Sequence, residues 1–137
     1  MTAVLLILIA VVSYFIGSIN TAILIGRLKG DDIRNHGSGN AGATNALRTY
    51  GKGAGAMVVL GDCLKAAVSC LLGILVSHIT PLGTENVKLA IYAAGLGAVL
   101  GHNFPLYFGF KGGKGILVSI TALTFANWKI GLAVLII

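Results

Sequence analysis

Ala3-Val4-Leu5-Leu6-Ile7-Leu8-Ile9-Ala10-Val11-Val12-Ser13-Tyr14-Phe15-Ile16-Gly17-Ser18-Ile19-Asn20-Thr21-Ala22-Ile23-Leu24-Ile25 is a run of 23 residues without a charge. As a helix rising ~1.5 Å per residue it exceeds the ~30 Å hydrocarbon core of a bilayer. No Lys or Arg precedes it, so the positive region of a cleaved signal peptide is missing and the run is expected to remain as a membrane span. Asn20 inside it must face protein or water. Gly17 and Thr21, one helical turn apart, form a small-xxx-small pair suited to close approach of a second helix.

Working outward, a second span is expected from about Gly53 to Ser77, a third from about Val87 to Phe104 and a fourth from near Gly115. Asn127-Trp128-Lys129 interrupts the fourth after roughly a dozen residues, too few to cross a full core. The last run, Ile130 to Ile137, is shorter still. The expectation is an all-α, polytopic transmembrane helical bundle of about four spans plus the start of a fifth. It forms one domain over residues 1–137, incomplete at its C-terminus. Composition agrees, with 56% hydrophobic and 10% charged residues against about 25% charged in soluble domains.

The net charge of +6 sits mainly beside the spans, which points to membrane topology and anionic lipids or substrates and away from nucleic acid. Arg27, Lys29, Arg34, Arg48 and Lys52 surround the first loop, and Lys111 and Lys114 lie in the Phe104–Gly115 segment. Only Lys88 and Lys129 lie on the opposite side. Seven cations against two place both loops in the cytoplasm and the N-terminus outside. Cys63 and Cys70 match no metal or redox spacing, and no metal is expected.

Those two loops hold the chemistry-bearing motifs. The first reads Gly37-Ser38-Gly39-Asn40-Ala41-Gly42-Ala43-Thr44-Asn45-Ala46-Leu47-Arg48, the second Phe110-Lys111-Gly112-Gly113-Lys114-Gly115. Gly allows backbone N–H groups to approach a ligand, while Ser, Thr and Asn add short neutral donors and Arg or Lys adds charge. That set suits phosphate. Arg48 offers a planar fork that Lys cannot copy; Arg34, outside the motif, is expected to tolerate Lys. Lys111 and Lys114, with the Gly112-Gly113 backbone, are expected to form a second anion pocket. The cluster lacks the G-x-x-x-x-G-K-[ST] spacing, so ATP is not expected. Asp62 and Lys65, three apart on the second span, are either a structural ion pair or the polar floor of the cytoplasmic site. His102 is a candidate base or a structural helix-end histidine; His36 and His78 carry no signal.

Gly37-Ser38-Gly39-Asn40-x-Gly42-Ala43-Thr44-Asn45-x-x-Arg48, followed by Gly101-His102-x-Phe104-Pro105 and Phe110-Lys111-Gly112-Gly113-Lys114-Gly115, resembles the bacterial membrane acyl-phosphate:glycerol-3-phosphate acyltransferase family. Gly17-Ser18-Ile19-x-Thr21 and Asp62-x-x-Lys65 fall where that family has them. The resemblance implies an inner-membrane enzyme with seven helices and a cytoplasmic site. Its substrates are glycerol 3-phosphate and acyl phosphate, its products lysophosphatidic acid and inorganic phosphate, and it uses neither cofactor nor metal. Ser38, Arg48 and Lys114 are then the expected catalytic residues. Gly37, Gly39, Asn40, Thr44, Asn45, His102, Lys111, Gly112 and Gly113 are the expected binding residues. Ser38 is expected to act as a hydrogen-bond donor, since no base and orienter stand beside it and no G-x-S-x-G surrounds it. The family usually has Pro at Asn20 and Gly at Ala66, and continues through further helices with a third motif. An organic-phosphate transporter and an inactive, truncated membrane scaffold are the alternative readings.

Overall fold

A backbone in hydrocarbon can satisfy its N–H and C=O groups only within its own segment, so the apolar runs become helices. The computed structural model describes residues 1–137 and contains no strand. Three segments are long and apolar enough to cross a membrane: Thr2–Leu28, Lys52–Ile79 and Thr84–Phe108.

The first of them is interrupted, contrary to the expectation of a continuous span. Helix α1 covers Thr2–Gly17 and α2 covers Thr21–Leu28. Asn20 causes the restart. Its Oδ1 accepts from the Ile23 N–H at 3.0 Å, capping α2, and its Nδ2 donates to the Ala41 carbonyl at 3.2 Å. The break leaves the Ile19 carbonyl outside both helices, and Lys65 Nζ donates to it at 2.9 Å. Non-helical backbone at membrane depth is tolerated where protein supplies such a partner. Gly17 and Thr21 therefore do not share one seam: Gly17 lies on the Ala98 backbone and Thr21 on Gly61.

Helix α3 (Ala43–Tyr50) is short and amphipathic, followed by α4 (Lys52–Ile79), α5 (Val87–Asn103), α6 (Ile116–Ala126) and α7 (Trp128–Ile136). Asn127 ends α6 and caps α7 by accepting from the Lys129 N–H at 3.1 Å, so the fourth segment is as short as the sequence indicates. Helix α5 is the hub, packing on α1, α4 and α6. Gly97 and Gly101, four apart, press against the Ala10 and Tyr14 backbones of α1. Lipid gives helices no hydrophobic drive to associate, so close van der Waals contact between small residues holds this seam. Val4, Leu8, Phe15, Leu64 and Leu71 are exposed, which is the face a helix presents to acyl chains.

Both glycine-rich loops meet at one end of the bundle. Arg34 Nη1 donates to the carbonyls of Phe108 and Lys111 across the gap between them. Beneath, Ile23, Ile33, Ala46, Val58 and Phe108 form a small core that seats α3 against α2 and α4.

Candidate functional site

Gly42 stands at the N-cap of α3 and Gly115 at the N-cap of α6, and neither glycine can cap its helix with a side chain. The first N–H groups of both helices are therefore left without side-chain acceptors. Both ends open on one cleft of about 330 Å³, lined by Asn40, Gly42, Ala43, Thr44, Val59, Asp62, His102, Lys114, Gly115, Ile116 and Leu117. Two helix N-termini with partial positive charge and the exposed Lys114 thus face one cleft, a set of groups whose chemistry is complementary to an anion. The sequence motifs did not expose this convergence, although Gly directly before each apolar-periodic segment was its visible trace.

The floor of the cleft is ionic. Asp62, Lys65 and His102 are 3%, 6% and 2% exposed. Lys65 Nζ lies 3.1 Å from Asp62 Oδ1 and 2.8 Å from His102 Nδ1. Asp62 and His102 both line the cleft, and Lys65 joins them from α4, so the ion pair of that helix adjoins the cleft.

Asn40, Thr44, His102 and Lys114 are brought together, and the other candidates divide. Ser38 is exposed on the loop, where its Oγ accepts from the Asn40 N–H at 3.4 Å and its hydroxyl proton stays available. Arg48 is exposed one turn beyond Thr44 on the same face of α3. None of the ion pairs involves Arg48, Lys111 or Lys114. Asn45 turns inward, 2% exposed, and its Nδ2 faces the carbonyls of Ile33, His36 and Asn40. It knots the loop from within. Gly37 and Gly39 adopt φ of +52° and +72°, the left-handed turns the knot requires.

The second loop needs a correction. The Gly112 and Gly113 N–H groups do not cradle an anion, because they donate to the Asn103 and His102 carbonyls, each at 3.1 Å. Their glycine identity has another cause: a Cβ at Gly113 would collide with His102 Nε2 and lie 2.8 Å from the Ala41 carbonyl oxygen. The two lysines also part company. Lys114 lines the cleft just described, whereas Lys111 and Gly112 line a larger one of about 870 Å³ with Arg27, Arg34 and Gly39.

In that larger cleft the arginines already have partners. Arg34 holds Asp32 through Nε and Nη2, at 2.9 and 2.7 Å to its two oxygens, besides the two carbonyls it reaches in the second loop. Arg34 is thus a staple between loops, not a simple topological charge. The Asp32 carboxyl is held below its ordinary value, first by this hydrogen bond, and the Arg34 guanidinium is raised by the same contact. Arg27 stacks 4.7 Å from the Phe108 ring centre. Nearby, His36 and Tyr50 both hydrogen-bond Asp31. The His36 contact is the main cause that lowers the Asp31 carboxyl, and burial is the main cause that raises the Tyr50 phenol.

Residues 7–137 match the family model described as glycerol-3-phosphate acyltransferase. The chain is 46% identical over 122 residues to the glycerol-3-phosphate acyltransferase of Clostridioides difficile (strain 630), covering 88% of this chain and 58% of that protein. It is 44% identical to that of Bacillus subtilis (strain 168) over the same shares. The fold is similar to a crystal structure of PlsY (YgiH), an integral membrane glycerol 3-phosphate acyltransferase, in its glycerol 3-phosphate form. There the TM-score is 0.78 at 35% identity, over 93% of this chain and 60% of the other. The lysophosphatidic acid form gives a TM-score of 0.72 at 34% identity, over 97% of this chain and 61% of the other. The chain thus spans a little under three-fifths of the length of these two sequence relatives.

Proposed function

This chain belongs to the glycerol-3-phosphate acyltransferase family, a family with integral membrane members, and we propose that it builds the phosphate-handling end of such an enzyme. The reaction moves a fatty acyl group from acyl phosphate to the 1-hydroxyl of sn-glycerol 3-phosphate. The hydroxyl oxygen bonds to the acyl carbonyl carbon, the bond from that carbon to the phosphate oxygen breaks, and inorganic phosphate leaves. By family resemblance the hydroxyl proton passes to the phosphate of glycerol 3-phosphate, so no protein base is needed.

One observation carries the reading: two uncapped helix N-termini and Lys114 converge on one cleft beside an apolar wall of Val59, Ile116 and Leu117. The polar end suits a phosphate and the wall suits an acyl chain. Acyl phosphate is already activated, so catalysis reduces to orienting two anions and offsetting their repulsion. Lys114 and Arg48 supply that charge, while Thr44, Asn40 and the Ser38 hydroxyl supply neutral donors. Lys111, on the far side of the loop, adds to the local potential.

The test is direct. Purified chain in liposomes receives acyl phosphate and labelled glycerol 3-phosphate, and lysophosphatidic acid with one equivalent of phosphate is the expected product. No product, together with no glycerol 3-phosphate binding, would sink the reading. The cation bias supports an orientation with both loops in the cytoplasm of a bacterial inner membrane. Ser38→Cys and Tyr107→Cys should then resist an impermeant thiol reagent in intact cells; labelling of either from outside would reverse the orientation.

A further inference from the structure

Lys65 fixes the chemical identity of His102. An ammonium has three N–H donors and no lone pair. Three polar atoms surround Lys65 Nζ: the Ile19 carbonyl oxygen at 2.9 Å, Asp62 Oδ1 at 3.1 Å and His102 Nδ1 at 2.8 Å. Of these contacts only those to Ile19 and His102 have hydrogen-bond geometry, while Asp62 Oδ1 is an ion-pair neighbour with no hydrogen-bond partner of its own. An ammonium nitrogen has no lone pair to offer, so at 2.8 Å it is His102 Nδ1 that accepts. Asp62 Oδ1 is farther from that nitrogen, at 3.4 Å, and balances the ammonium by charge at 3.1 Å. The single proton of the neutral ring then lies on Nε2. That atom has no hydrogen-bond partner in the chain, yet it is not among the fully enclosed unpartnered atoms. His102 is 2% exposed and lines the cleft, so what remains of its surface opens there, beside Gly113.

We propose that His102 is a neutral Nε2–H donor to an oxygen of the bound phosphorylated substrate, and that Lys65 and Asp62 are the positioning residues that hold it in that tautomer. This rests on the reading of the cleft as a phosphate-substrate site. His102 is then not the base: its Nδ1 lone pair is occupied by the ammonium and its Nε2 carries the proton. The break in the first span is part of the device, because the freed Ile19 carbonyl takes one ammonium N–H and holds the ammonium where another meets His102 Nδ1. No proton or electron is transferred by these residues. A neutral donor is useful in a cleft shared by two anions, because it binds oxygen without adding charge that would hold the departing phosphate.

The chain has three histidines, so ¹⁵N-histidine labelling in detergent micelles resolves each ring, with His102→Gln assigning the signal. The wild-type chain near pH 7.5 is expected to show His102 with a protonated Nε2 and an unprotonated Nδ1. Lys65→Met should release Nδ1 to turn its proton toward Asp62, giving the other tautomer, while Lys65→Arg keeps the original one. The His36 and His78 signals and the helical circular dichroism must stay unchanged, which separates this effect from misfolding. Adding glycerol 3-phosphate should move the Nε2–H signal, with inorganic phosphate as the comparison probe. His102→Gln, which keeps an N–H donor, should bind glycerol 3-phosphate roughly ten-fold more tightly than His102→Ala. A wild-type imidazolium or Nδ1–H ring overturns the inference. So does an Nε2 signal that ignores glycerol 3-phosphate while Lys114-dependent binding persists, and in that case the functional reading survives.

Discussion

The larger cleft, under Arg27, Arg34 and Lys111, and the smaller one, under Lys114 and Thr44, are both basic and lie on either side of one glycine loop. In the larger, Arg34 has every nitrogen engaged and Arg27 lies over Phe108. In the smaller, the lysine and the first turns of α3 and α6 have no side-chain partner. Charge alone would favour the larger cleft. Donor availability favours the smaller, because an anion gains only from N–H groups that are not already satisfied.

The largest expected effect breaks this comparison if it fails. Lys114→Met should weaken glycerol 3-phosphate binding by ~10–100-fold, the loss of one charge-assisted hydrogen bond of about 1.5–3 kcal/mol. Lys111→Met, read in the same titration calorimetry, should cost several-fold less. Equal losses would merge the two clefts into one site.

Arg34→Lys sharpens the contrast from the other side. It keeps the charge but loses the fork that spans Asp32 and two carbonyls. We expect a lower melting temperature, corresponding to about 1–2 kcal/mol. Most of that comes from the carbonyl contacts, since the Asp32 pair is partly open to solvent. Arg48→Lys should do the reverse, sparing stability and weakening ligand binding. A melting temperature unchanged in Arg34→Lys would mean that the staple is unimportant.

The smallest effect follows from the loop carboxylates. Asp32 has a folded value depressed below the ordinary 3.8, so the unfolded chain binds its proton first as pH falls. Its contribution is fully present above that ordinary value and is lost as pH drops toward the lower folded one. Asp31 titrates with the same sign. Melting followed from pH 6 to pH 3 should therefore show a decline that Asp32→Asn makes shallower, by less than about 1 kcal/mol. An identical slope in the variant would remove Asp32 from the account.

The spans, their order and the two loops were legible because hydropathy and glycine spacing are local signals. The break at Ser18-Ile19-Asn20 was not, since an isolated Asn in an apolar run reads as a buried polar residue until Ala41 and Lys65 arrive to complete it. Asn45 shows the same limit. Its motif position suggested a ligand contact, while its amide is turned onto three carbonyls of its own loop.

The sequence by itself determined that this is a helical membrane protein with two cationic glycine loops, because span length, charge bias and motif spacing are properties of the chain alone. Only the tertiary structure decided which cations and N–H groups remain available, and that His102 Nδ1 lies against Lys65 Nζ. Those outcomes depend on partners far apart in sequence: Arg34 and the Phe108 carbonyl are 74 residues apart, Lys65 and His102 are 37 apart. A hydrogen bond already made within the fold cannot be offered again to a ligand.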